Sequence, residues 1–114
     1  MQVSINKEQI VGFDHIAFNV SDIEKSVSWY VENLSCDVLY QDSTWAMLGI
    51  AGTKIALTLP NQHPPHIAFT ISSEASLTGS DVEFRKHRDG SSYVYASDPD
   101  GNTIEWLVYT DKPE

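Results

Sequence analysis

The feature that most constrains this chain is a self-match. Residues 15–18 read His15-Ile16-Ala17-Phe18, and residues 66–69 read His66-Ile67-Ala68-Phe69. The match runs on through Asn19-Val20 against Thr70-Ile71. A second anchor lies further along, where Gly52-Thr53-Lys54-Ile55-Ala56-Leu57 aligns with Gly101-Asn102-Thr103-Ile104-Glu105-Trp106. The first anchors are 51 residues apart and the second 49, so one supersecondary unit is repeated with a small indel. A chain of 114 residues has room for two such copies and little else. It reads as a single domain, 1–114, with a first module over about 11–60, a linker at 61–65 and a second module over about 66–110. The linker, Asn61-Gln62-His63-Pro64-Pro65, carries paired prolines that suit an extended connection.

Within each copy the hydrophobic period changes in the same order. Residues 13–20 alternate as a strand, with Ile16, Phe18 and Val20 on one face and His15, Ala17 and Asn19 on the other. The bulky face is expected to pack beneath a helix. Ser21-Asp22-Ile23-Glu24 has the pattern of a capping box that opens one. Ile23, Val27, Tyr30, Val31 and Leu34 then follow as one apolar helical stripe. Strands are predicted near 37–41, 44–50 and 54–59, which makes the unit βαβββ. In the second copy strands are predicted at 66–71, 82–87, 93–97 and 103–109. The stretch 72–80 between them is short and holds Gly79, so one or two helical turns are the most it can form. The fold class is therefore α+β.

Charge narrows the partners. Sixteen acidic residues against seven basic ones give a formal net charge of −9. Such a surface repels phosphate backbones and anionic headgroups, so neither nucleic acid nor a membrane is expected as a partner. No apolar run approaches the ~20 residues that span a bilayer, and the first ten residues lack the apolar stretch of a secretory signal. The one cysteine, Cys36, cannot form an internal disulfide, which fits a reducing, cytoplasmic location.

The alternation also sorts the chemistry. His15 and His66 occupy equivalent positions, each beside small residues, and converge if the modules pair with pseudo-twofold symmetry. Glu105 sits mid-strand between Thr103 and Leu107, opposite the face of Ile104, Trp106 and Val108. A carboxylate among apolar neighbours is costly unless something satisfies it, and a divalent metal held by His15, His66 and Glu105 would do so. Taken singly, each residue has a plainer reading: a strand histidine hydrogen-bonded into the structure, or a glutamate facing solvent on an edge strand. Asp98-Pro99-Asp100-Gly101 alone reads as a tight turn. His63 and His87 lack a repeat partner and read as loop or surface residues.

Taken together, Asp14-His15-Ile16-Ala17-Phe18, the capped helix ending near Trp29-Tyr30, His66-Ile67-Ala68-Phe69, and Asp98-Pro99-Asp100-Gly101-Asn102 leading to Glu105 resemble the vicinal oxygen chelate superfamily. That superfamily includes glyoxalase I, fosfomycin-resistance thiol transferases, extradiol dioxygenases and bleomycin-resistance proteins. The resemblance covers residues 13–109. It implies two paired βαβββ modules forming a cupped, barrel-like mixed sheet with helices outside, around a divalent ion such as iron, manganese, zinc or nickel. It places His15, His66 and Glu105 at ligand positions. It implies an enzyme, a lyase, isomerase, transferase or ring-cleaving dioxygenase, acting on a small anionic substrate through two neighbouring oxygens. The alternative within the family is a metal-free protein that sequesters a ligand, as bleomycin-resistance members do.

Glyoxalase-like members carry a second glutamate where this chain has Ala56, so ordinary glyoxalase I activity is not expected. Tyr95 matches a pocket-lining tyrosine of the thiol-transferase pattern. Arg85 falls close to a position that holds an anionic substrate, within the basic group Arg85, Lys86 and Arg88. The glycine-rich and basic elements that thiol transferases carry after the last strand have no counterpart before Glu114, which argues against fosfomycin resistance. The family also implies a homodimer, for which Trp29, Trp45, Trp106 and Tyr109 are candidate anchors.

Overall fold

The structure is a computed structural model and describes residues 4–79, 82–87 and 90–109. Arg88, Ser80 and Thr110, which bear on the basic group and on the expected bounds of the second module, lie outside the described residues. The chain divides into two compact units, one formed by Asp14–His66 and the other by the segments before and after it. No helix among the described residues is long and apolar enough to cross a membrane.

The first unit takes in most of β2 (Ile10–Asn19), then α1 (Ile23–Leu34), β3 (Asp37–Gln41), β4 (Trp45–Ile50) and β5 (Thr53–Thr58). Its strands lie in the order β3-β4-β5-β2. Neighbours are antiparallel except β5 and β2, which run parallel with His15 opposite Lys54 and Ala17 opposite Ala56. The sheet is thus mixed, as a βαβββ unit requires, because the helix returns the chain for one parallel pairing. The helix starts one residue later than the capping-box pattern indicates. Asp22 is the N-cap, and its carboxylate accepts from the Lys25 amide, so Ser21 stays outside. Ser35 ends the helix in the left-handed region.

Beneath α1, Ile23 and Val27 pack with Cys36, Ala46, Leu48 and Leu57, flanked by Val20, Tyr30, Ile50, Ile55 and Leu59. Of Ile16, Phe18 and Val20, only Val20, just past the end of β2, joins this core, and Phe18 is 38% exposed. The expectation that Ile16, Phe18 and Val20 would all lie under the helix is corrected by the strand order. The helix sits against β3, β4 and β5, so β2 is the strand it covers least.

The second unit comprises β1 (Ser4–Ile5), the start of β2, β6 (His66–Ile71) from Ile67 onward, β7 (Leu77–Thr78), β8 (Arg85–Lys86), β9 (Ser92–Ser97) and β10 (Thr103–Val108). Its main strands lie in the order β6-β10-β9-β8. No α-helix follows β6. A single 3-10 turn, Glu74–Ser76, stands in its place, and Ser73 at its start makes no side-chain cap. The hydroxyls of Ser72, Ser73 and Ser76 bond one another instead, which favours a turn over helix growth. The cover a helix would give comes from a ribbon unseen in the sequence pattern, β1 paired antiparallel with β7. Ile5 and Leu77 from that ribbon, with Val82 and Phe84, pack on Ile71, Val94, Ala96, Trp106 and Val108. The strand predicted over 82–87 is real only at Arg85–Lys86, because Val82 and Phe84 serve that core rather than a ladder.

The repeat anchors at glycine are turns. Ala51 and Gly52 both have positive φ, 53° and 77°, where β4 doubles back to β5, and Gly101 has φ 85° before β10. Two consecutive residues at positive φ are what a tight hairpin turn demands. An added Cβ at Gly52 would meet nothing within 4 Å, so only backbone strain opposes it. Gly52→Ala is expected to lower stability by about 1 kcal/mol, whereas Ala51→Gly should leave it equal or slightly raised, because released strain is offset by chain entropy. Urea unfolding of the two variants against wild type checks this.

Candidate metal centre

The first unit holds a histidine pair. His15 comes from β2 and His66 begins β6, and both are buried, at 7% and 8% exposure. Their Nε2 atoms face each other at 3.2 Å with the rings edge to face. The far side of each ring is fixed. His15 Nδ1 lies 2.6 Å from Asp14 Oδ2, and His66 Nδ1 lies 2.7 Å from the Pro64 carbonyl oxygen. A carbonyl and a carboxylate can only accept, so Nδ1 is the protonated nitrogen in both rings and Nε2 carries the lone pair. Two such lone pairs at 3.2 Å repel unless a cation or a proton lies between them. This is the arrangement of metal-ligating histidines, whose outer N–H is held by a carboxylate or carbonyl. The residues present therefore fit a divalent ion.

Asp14 is itself buried and balanced. Its second oxygen, Oδ1, lies 3.4 Å from Lys54 Nζ, whose residue is the parallel-ladder partner of His15. The linker contributes beyond Pro64: the His63 carbonyl accepts from Asn19 Nδ2, which also donates to Thr58 Oγ1. His63 is thus a loop residue, as read from the sequence. Ala56, with no donor atom, is buried opposite Ala17 on the same face as His15.

The second unit holds Glu105, at 1% exposure the most deeply buried charged residue among those described. The alternation along β10 is as expected, with Ile104, Trp106 and Val108 on the opposite, core-facing side. Glu105 pairs in register with Tyr95 of β9, and Leu107 with Tyr93. Burial, then the negative charge of Glu105, push the Tyr95 phenol far above its ordinary pKa of 10, so it stays a neutral hydrogen-bond donor. Arg85 of β8 pairs with Tyr93 and is exposed at the edge of this face.

His87 is the residue the sequence reading missed. It was expected at the surface, yet its Nε2 donates to Glu105 Oε2 at 2.7 Å and its ring stacks on Tyr93, with centroids 3.8 Å apart. No repeat partner marks it: it follows β8 in the β8–β9 hairpin, the counterpart of β3–β4, and the first copy has no histidine in that hairpin. The Asp98-Pro99-Asp100-Gly101 segment is the turn its sequence suggests. Asp98 accepts from the amides of Asp100 and Asn102 and from the Asn102 side chain, bonds that hold its carboxyl below the usual carboxylate range.

Asp14→Ala is expected to cost about 1–3 kcal/mol in the metal-free protein, because a buried imidazole N–H loses its acceptor. Asp14→Asn, which keeps an oxygen there, should cost less. Chemical denaturation in chelator separates the two.

The chain has clear similarities among known proteins. The family model described as Glyoxalase/Bleomycin resistance protein/Dioxygenase superfamily matches residues 12–82. Metallothiol transferase FosB of Staphylococcus epidermidis is 33% identical over 115 residues, with 85% of this chain and 81% of that protein covered. The FosB protein of Staphylococcus haemolyticus is 31% identical over 114 residues, with 84% and 82% covered. Among solved structures, methylmalonyl-CoA epimerase from Mycobacterium tuberculosis shares the fold, with a TM-score of 0.74, 17% identity, and 94% of this chain and 93% of that chain covered.

Proposed function

This chain belongs to the glyoxalase, bleomycin-resistance and dioxygenase superfamily, and we propose that it is a divalent-metal-dependent enzyme acting on a small anionic substrate through two neighbouring oxygens. The observation that carries the proposal is the buried His15–His66 pair, with lone-pair nitrogens 3.2 Å apart and both outer nitrogens engaged. In this reading Glu105 is the third ligand. It is a buried carboxylate at a repeat position where the first module has Ala56. An ion held by these three, iron, manganese, zinc or nickel, supplies Lewis-acid charge to a substrate oxygen on which negative charge develops.

The chain's own groups complete the site. Tyr95, kept neutral by burial and by Glu105, donates a hydrogen bond to that oxygen. Arg85 supplies a positive charge for the anionic end of the substrate. Ala56 offers neither ligand nor base, so a reaction that needs a second carboxylate is disfavoured. Among lyase, isomerase, transferase and dioxygenase chemistry, the relatives named metallothiol transferase favour a transferase reaction that involves a thiol. The enzyme is assigned to the cytoplasm, where thiols stay reduced.

Calorimetric metal titration is expected to give one ion per chain in wild type. Removal of a ligand in His15→Ala, His66→Ala or Glu105→Gln should weaken binding by at least about 100-fold, more than outer partners are typically worth, and abolish the metal-dependent rise in melting temperature. His63→Ala should bind as wild type, and Ala56→Glu should bind more tightly. Stoichiometry well below one ion per chain sinks the enzyme reading in favour of metal-free ligand sequestration. A screen of epoxides with thiols, catechols and 2-oxoaldehyde thiol adducts then assigns the reaction.

A homodimer is part of the same proposal. All five residues of the edge strand β3 are exposed, including Val38, Leu39 and Tyr40, and Trp29 is 54% exposed. Such an edge invites pairing with a second copy. Trp106, an expected anchor, is excluded because it is buried in the core of its own unit. Light scattering should return twice the chain mass at micromolar concentration, and Leu39→Lys should return one.

A further inference from the structure

His87 has a relation to Glu105 that neither the repeat nor the family resemblance supplies. Its imidazole is held from two sides. The ring lies flat on Tyr93, at 3.8 Å between centroids and 13° between planes, and Nε2 is 2.7 Å from Glu105 Oε2. The backbone at the same residue is also tied, with the His87 amide donating to the Ser91 carbonyl and the His87 carbonyl accepting from the Gly90 amide. Lys86 Nζ donates to Ser92 Oγ one residue before, which anchors the same hairpin. A side chain fixed by a stack, a charged acceptor and a closed turn has one orientation available.

We propose that His87 is a positioning residue that makes Glu105 a one-oxygen ligand. The inference rests on the reading of Glu105 as a metal ligand. A carboxylate that accepts a strong N–H bond at Oε2 presents Oε1 to a cation and is turned away from two-oxygen chelation. One oxygen from Glu105 and one nitrogen from each histidine would take up three coordination positions, and a substrate that binds through two neighbouring oxygens would find two adjacent ones left for it. Tyr93 is the platform for this: it faces the ring, and its strand partner Leu107 lies two residues from Glu105 along β10. Tyr95 flanks the pair on the same strand face, with its ring 5.4 Å from Tyr93.

The test uses the whole chain loaded with Co(II), whose visible absorption weakens as coordination number rises. His87→Phe keeps a flat ring on Tyr93 and removes the donor, whereas His87→Gln keeps an N–H. The wild-type Co(II) spectrum should be lost in His87→Phe, replaced by a weaker band, with affinity lowered 10–100-fold. His87→Gln should recover most of both. Far-UV circular dichroism and metal-free unfolding midpoints are measured beside each variant. His87→Phe matching wild type in spectrum and affinity, while Glu105→Gln loses Co(II) binding, overturns the positioning role alone. Unchanged Co(II) binding in Glu105→Gln overturns the ligand reading beneath it. A lowered metal-free midpoint in His87→Phe with an unaltered spectrum marks the pair as structural and overturns the proposal, as does His87→Gln departing from wild type as far as His87→Phe.

Discussion

A carboxylate that is 1% exposed in the middle of a strand must be answered by its surroundings, and much of the second unit is arranged as that answer. Tyr95 lies opposite it in the ladder and is held neutral. His87 reaches it across 18 residues of sequence and donates to one oxygen. The hairpin that delivers His87 is anchored by its own backbone bonds and by Lys86. Remove the acid and these features have no common purpose. The same pressure acts in the first unit, where a buried imidazole pair is matched by Asp14, and Asp14 in turn by Lys54. In both units one buried ionic group recruits a chain of partners that reaches toward the surface, which is how a small chain tolerates charge inside it.

What was legible in the sequence was what the repeat duplicated. His15 and His66 stood out because they begin the same tetrapeptide, and Glu105 because it is a carboxylate placed mid-strand among apolar neighbours. The βαβββ order of the first module and the brevity of the second helix followed from period and length, and the mixed sheet from the family resemblance. The residues that escaped were those without a counterpart. His87 belongs to a hairpin whose first-copy counterpart, β3–β4, carries no histidine, and its contact with Glu105 is made by folding, not by spacing. The β1–β7 ribbon escaped for the same reason: two-residue strands carry no period, and their pairing joins residues 4–5 to 77–78. Phe18 was misassigned because alternation says which face a side chain takes but not which strand a helix will cover.

The two copies have diverged in a physically consistent direction. The first keeps a twelve-residue helix over a core of Leu48, Leu57 and Ala46, and its opposite face carries small residues, Ala17 and Ala56, beside His15. The second replaces the helix with a ribbon and a 3-10 turn, and its opposite face carries Glu105, Tyr95, Tyr93 and Arg85. One copy presents small side chains beside His15, and the other a carboxylate, a neutral donor and a cation.

That division sets the charge the proposed centre would present. Two imidazoles held as neutral ligands by their Nδ1 bonds and one carboxylate leave a divalent ion with a surplus of one positive charge. Asp14 does not cancel it, because Lys54 already neutralises Asp14. A second acid at position 56 would cancel it, but alanine stands there. The chain as a whole carries a net charge of −9, so an anion approaching it is repelled until it meets this local surplus and the exposed Arg85. A monoanion able to chelate through two oxygens would gain most from such a site, because it would neutralise the ion and take two adjacent positions at once. A neutral substrate gains only the second of these, and a second copy of Glu105 in place of Ala56 would reverse the preference. Selectivity for charge would thus turn on position 56, where alanine offers no donor atom.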